Sequence, residues 1–135
     1  MFWSNLLRWM SSPSNAFRPL ATPADWSDAL DASETEPVVV FKHSSACPVS
    51  GRAQRQMEHL AAEDDAPPIY QLVVQNSRAL SNKVADALDV RHETPQAIIL
   101  KDRRPVFDAS HGRVKADVVR EAVASATSRS AAASS

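Results

Sequence analysis

A chain of 135 residues with 23% charged side chains and a net charge of −1 is long enough for one buried core and too short for two. Fifteen Lys and Arg against sixteen Asp and Glu leave no global field to draw it to nucleic acid. No run approaches the ~20 apolar residues of a membrane-spanning helix, and a single cysteine excludes an internal disulfide and a cysteine-rich zinc site.

Residues 2–10 put Trp3, Leu6, Leu7 and Met10 on one helical face. That face suits packing on its own domain, a homodimer contact or a membrane-surface anchor. Arg8, the one cation of the polar side, speaks against the anchor. Ser4, Asn5 and Arg8 break the apolar run and there is no basic leader, so the segment does not read as a signal peptide. The expected location is the reducing cytoplasm. Residues 11–19 read as a linker, which makes 1–20 an N-terminal extension ahead of a domain over 21–124. Residues 125–135, rich in Ala and Ser, read as a disordered tail.

Thr22-Pro23-Ala24-Asp25 opens a helix, with Thr22 as cap, Pro23 at the first helical position and Asp25 three after the cap. Trp26, Ala29 and Leu30 face inward and the helix ends near Ala32. Residues 37–42 form a buried strand. A helix over 48–63 follows, with Val49, Ala53, Met57 and Leu60 on its inner face. A second strand spans 69–74. A helix over 77–88 turns Leu80, Val84 and Leu88 inward. Thr94-Pro95 breaks the chain before a third strand, 96–101. A three-residue turn, 102–104, leads to a fourth strand, 105–109. A last helix, 114–126, buries Val114, Val118 and Ala122. The order β-α-β-α-β-β-α gives a four-stranded mixed sheet flanked by helices on both faces, the thioredoxin-like α/β arrangement.

In that layout the first strand delivers the chain to Cys47, which opens a helix as Cys47-Pro48-Val49-Ser50. Unpaired N–H groups and the positive end of the helix dipole favour a thiolate there, and the thiolate is the nucleophile. Pro48 has no N–H to leave unpaired and presets the helical φ. The polar Ser44-Ser45-Ala46 lead-in argues against an inert core thiol. The spacing is that of a Cys-x-x-Cys redox site whose second cysteine is Ser50, so the attacking thiol has no local resolving partner. The Ser50 hydroxyl, one turn on, can donate to the sulfur or satisfy the backbone. Cys47, Pro48 and Ser50 are the candidate catalytic set.

Thr94 and Pro95 precede the third strand, where a cis bond would expose the Thr94 backbone to an extended ligand pairing as an added strand. His43, His92 and His111 fall near strand ends, where an imidazole can tune or deprotonate the thiol. Lys42, Arg52, Arg55 and Arg78 would suit carboxylates of a ligand if they face the thiol. Thr94, Pro95, Lys42, His43 and His92 form the candidate substrate-binding set. The four histidines show no metal-ligand spacing, and no bound metal or cofactor is expected.

Four segments carry a resemblance. Phe41-Lys42-His43-Ser44-Ser45-Ala46-Cys47-Pro48-Val49-Ser50 resembles the F-K-H-S-x-x-C-P-[IV]-S signature of the monothiol bacilliredoxin-like YtxJ family of the bacillithiol system. Arg78-Ala79-Leu80-Ser81-Asn82-Lys83-Val84-Ala85, Val90-Arg91-His92-Glu93-Thr94-Pro95-Gln96 and Ala109-Ser110-His111 are similar to its later segments, in the same order. The resemblance spans 37 to about 124. It implies a thioredoxin-like fold and removal of bacillithiol, a small thiol acting as co-substrate, from S-thiolated client proteins. A sensor or adaptor that is itself S-thiolated and binds a protein partner is the alternative. A peroxide-reducing thiol enzyme ranks lower, because no Pro-Thr-x-x-Cys pattern precedes Cys47.

Overall fold

The computed structural model describes residues 16–134. The amphipathic helix expected over 2–10 lies outside the described residues. In chain order the elements are β1 (Arg18–Pro19), α1 (Pro23–Ala32), β2 (Val38–His43), α2 (Pro48–Ala61), β3 (Ile69–Val73), α3 (Arg78–Leu88), β4 (Gln96–Lys101), β5 (Arg104–Ser110) and α4 (Ala116–Ser134), with a 3-10 turn, His111–Arg113, before α4.

The sheet has five strands, not four, in the order β1-β3-β2-β4-β5. The added strand is β1, which falls inside the segment expected to be linker. It pairs in parallel with β3, Arg18 opposite Tyr70 and Pro19 opposite Gln71. Two residues with no apolar alternation carry no strand signal, and their pairing is with residues fifty positions away. β2 lies at the centre, parallel to β3 and antiparallel to β4. β4 and β5 form the hairpin.

β2 is buried at all six positions, so both of its faces are core. Its alternation assigns them. Val38 and Val40 point into one cluster with Trp26 and Ala29 of α1 and Leu80, Val84 and Leu88 of α3. Val39 and Phe41 point into the other, with Ala53, Met57 and Leu60 of α2 and Val119 and Ala122 of α4. By the same alternation Lys42 belongs to the α3 side and His43 to the α2 side.

Local chemistry sets the boundaries. Thr22 Oγ1 accepts from the Asp25 N–H at 3.1 Å while Asp25 Oδ2 accepts from the Thr22 N–H at 3.0 Å, the reciprocal box expected from the sequence. These backbone bonds hold the Asp25 carboxyl below its ordinary value, the Ala21 N–H contributing most. The hairpin turn has two residues, Asp102 and Arg103, with φ of 55° and 66°. Positive φ at both central residues suits the twist of a two-residue hairpin, but side chains other than Gly and Asn disfavour it. Here Ser33 holds the turn from outside: its carbonyl accepts from the Asp102 N–H at 2.8 Å and its Oγ from the Arg103 N–H at 2.9 Å.

Two helix faces differ from expectation. On α2 the inward stripe is Ser50, Ala53, Met57 and Leu60, while Val49 is exposed. On the last helix Val119, not Val118, is core. Val114 is buried too, but it precedes the helix, so counting by helical turns from it puts the phase out by one. The helix also continues to Ser134, where a disordered tail was expected. Alanine is the strongest helix former and no Gly or Pro interrupts the stretch.

Candidate functional site

The end of β2, the start of α2 and the loop before β4 converge. Lys42 pairs with Gln96 in the antiparallel register, so the next residues of β2 run beside Pro95 and Thr94. Four residues after β2 ends comes Cys47, the N-cap of α2, extended at φ −106° and ψ 121°, with Pro48 starting the helix. Cys47 is partly exposed and free. Pro48 and Val49 beside it are exposed, Val49 at 38%, so the thiol has an apolar rim. The Thr94–Pro95 bond is cis. The Pro95 carbonyl accepts from the His111 N–H at 2.9 Å, which fixes the end of β5 against this loop.

Ser50 satisfies the backbone, one of the two roles its position allows, and also meets His43. It is fully buried, and its Oγ accepts from the Ser44 N–H at 2.9 Å and lies 2.8 Å from His43 Nδ1. It satisfies the backbone of the loop leading to the thiol, and its hydroxyl is engaged with His43. Burial lowers the His43 pKa below its ordinary value, partly opposed by a hydrogen bond to the Ser50 backbone and by the charge of Glu58. A lowered pKa favours the neutral imidazole, whose Nδ1 pairs with the Ser50 hydroxyl. Phe41 packs beside it, ring centres 5.8 Å apart.

Lys42 is not presented to a ligand. It is fully buried, with Nζ 3.2 Å from His92 Nδ1 and 3.5 Å from the Ser81 carbonyl. Burial lowers its pKa. The strand alternation explains the difference: Lys42 points to the α3 side of the sheet, so the end of β2 does not put it beside the thiol. His92 is exposed, but its Nδ1 edge is turned into this cluster, where Ser81 Oγ lies 3.3 Å away. Desolvation and then the Lys42 charge lower the His92 pKa, with Arg78 adding to this and Glu93 opposing. Arg52, Arg55 and Arg78 are exposed.

Two site elements escaped sequence reading. Gln75 holds the loop before the thiol: its Nε2 donates to Ser44 Oγ at 2.8 Å and its Oε1 accepts from the Ser45 N–H at 3.2 Å. It follows β3, whose parallel pairing with β2 ends both strands at the same level. Nothing local in the sequence marks it. Ser81 stood inside a segment of the resemblance without a role, and its burial on α3 was the missing signal. Glu93, between His111 (3.1 Å) and Arg91 (3.6 Å), completes the loop. Among the described residues no helix is long and apolar enough to cross a membrane.

A mixed sheet of this order, a thiol capping the helix after the central strand and a cis-proline before the neighbouring antiparallel strand define a thioredoxin-fold oxidoreductase with one thiol. Solved structures agree. A thioredoxin-fold protein described as a candidate oxidoreductase superposes with a TM-score of 0.72 at 29% identity, over 82% of this chain and 96% of the other. Fasciola hepatica thioredoxin (0.66, 21% identity, 80% and 97%) and a mutant thioredoxin from Halobacterium salinarum (0.67, 17%, 87% and 96%) share the fold. The family model described as monothiol bacilliredoxin BrxC matches residues 18–119. The chain belongs to that family, and the match begins at β1.

Proposed function

We propose that this protein removes bacillithiol, or a similar small thiol, from S-thiolated client proteins. The observation that carries this reading is a partly exposed thiol at the N-cap of α2, beside the Thr94–Pro95 loop, with Ser50 where a resolving cysteine would stand. The Cys47 thiolate attacks the bacillithiol sulfur of the mixed disulfide. The Cys47–bacillithiol bond forms, the client–sulfur bond breaks, and the client leaves as thiolate with the electron pair. A second bacillithiol thiolate then attacks the bacillithiol sulfur on Cys47, giving bacillithiol disulfide and free Cys47. The small thiol is co-substrate and no bound cofactor takes part.

In this reading Ser50, His43 and Gln75 hold the loop so that Cys47 meets the disulfide in one orientation. Thr94 offers its backbone to the client segment next to the disulfide. The domain expected over 21–124, with β1 ahead of it and α4 running to Ser134, does this, and the reaction belongs in a reducing compartment.

The test is a single-turnover reaction of the reduced protein with a bacillithiolated client, followed by intact mass. The expected result is a Cys47 adduct carrying the mass of the small thiol, release of the client thiol, and multiple turnovers once free bacillithiol is added. A stable Cys47 adduct that free bacillithiol does not resolve would favour a sensor instead.

A further inference from the structure

Lys42 is a fully enclosed lysine whose ammonium meets a histidine ring and a backbone carbonyl. Among the described residues no carboxylate forms an ion pair with it. Burying such a charge is unfavourable unless it is hydrogen-bonded, and the functional reading above gives it no task. Its geometry does. An ammonium has donors only, so His92 Nδ1, 3.2 Å away, accepts. The Ser81 hydroxyl lies 3.3 Å from the same nitrogen. With Nδ1 accepting, the ring proton resides on Nε2, at the opposite edge of a side chain that is exposed. A cation donating into one ring nitrogen polarises the ring and strengthens the N–H at the other.

His92 lies on the loop that ends in Thr94 and Pro95, beside the strand that leads to Cys47. The charges around it are Lys42 behind, Arg78 at the start of α3, and Glu93 on its own loop. Glu93 is shared with His111 and Arg91. The local field favours an anion.

We propose that Lys42 is a positioning residue: from beneath the loop it holds His92 as the Nε2–H tautomer, and that outward N–H binds a carboxylate of the small thiol joined to Cys47. This rests on the functional reading above and deepens it, by stating which part of the small thiol is read and by which atom.

The test has two arms. In the first, long-range proton–nitrogen spectra of the full-length protein with labelled histidine read the His92 tautomer at neutral pH. The expected result is Nε2–H in the wild type and loss of that single state in Lys42→Met. In the second, kinetics compare one client carrying either bacillithiol or cysteamine, which has no carboxylate. His92→Asn retains a polar group near the Nδ1 position, and His92→Gln retains one near Nε2. His92→Asn and Lys42→Met should raise KM about tenfold for the bacillithiol disulfide, with kcat little changed, and His92→Gln should stay within about twofold. The rise in KM should be several-fold smaller for the cysteamine disulfide, so the ratio of the two KM values reads the carboxylate contact.

An Nδ1–H wild-type ring, or equal losses on both disulfides, overturns the proposal. If Lys42→Met does not fold, the wild-type tautomer and the two exposed His92 variants still decide it. If the wild type turns over neither disulfide, the functional reading falls, and the tautomer arm separately decides whether Lys42 sets the ring.

Discussion

Ser50 Oγ lies 2.8 Å from His43 Nδ1, so the first turn of α2 is tied to the last residue of β2. The same oxygen accepts from the Ser44 N–H at 2.9 Å. The loop from Ser44 to Cys47 is therefore bracketed by one buried hydroxyl. A serine at this spacing does more than replace a lost cysteine: it fixes the approach of the remaining thiol.

Ser50→Ala should leave a buried ring nitrogen and a backbone N–H without partners. The expected cost is about 1–3 kcal/mol, read as a lower urea midpoint at unchanged slope. An unaltered midpoint would mean that water replaces the hydroxyl without loss.

Ser50→Cys should form a disulfide with Cys47 on oxidation, because the two positions share one helical turn. The reduced variant should be less stable than wild type, since a thiol replaces the hydroxyl that His43 and Ser44 share. Two titratable thiols remaining after oxidation would contradict this geometry.

Acidification should destabilise the fold through His43. Its folded pKa is lowered by burial, so between about pH 6.5 and that lower value the unfolded chain binds the proton first. Stability is full above this window and falls as pH drops through it. His92 shifts in the same direction and adds to the effect. His43→Gln should flatten the dependence of the urea midpoint between neutral pH and about pH 5. An unchanged slope would assign the acid sensitivity elsewhere.

Gly51→Ala should stabilise the protein by about 0.5–1 kcal/mol. Gly51 sits within α2 without a left-handed φ, and a Cβ there meets nothing within 4 Å. Thermal unfolding reads the gain. A decrease would show that the bare backbone of the first turn is needed.

Much of this architecture was legible because the signals are local. Thr22 and Asp25 announce their helix, the run from Val38 to Phe41 announces the central strand, and Thr94-Pro95 marks the start of β4. What was not legible depends on residues far apart in the chain. β1 exists through its pairing with Tyr70 and Gln71. The Asp102-Arg103 turn is held by Ser33, and by Arg103 ion pairs to Asp31 and Glu34 at 2.8 and 2.9 Å. The site divides the same way. Cys47 and Pro48 read directly, whereas the parting of Lys42 and His43 to opposite faces follows from period-2 geometry once the strand's last residue is known. Ser50 displaced Val49 from the inner stripe because a buried hydroxyl with two partners is as much at home inside as a methyl.

Both outer strands open on the same dipeptide, Arg18-Pro19 in β1 and Arg104-Pro105 in β5. A proline is tolerated on an edge strand where its missing N–H would face outward. A proline and a charge together make a poor template for another chain, and two residues of β1 give little length to copy. Where these dipeptides stand, the rims of the sheet are thus poor templates for strand addition. Under the proposed function, a client that docks by backbone pairing meets a poor template where both outer strands open, which favours the Thr94 segment.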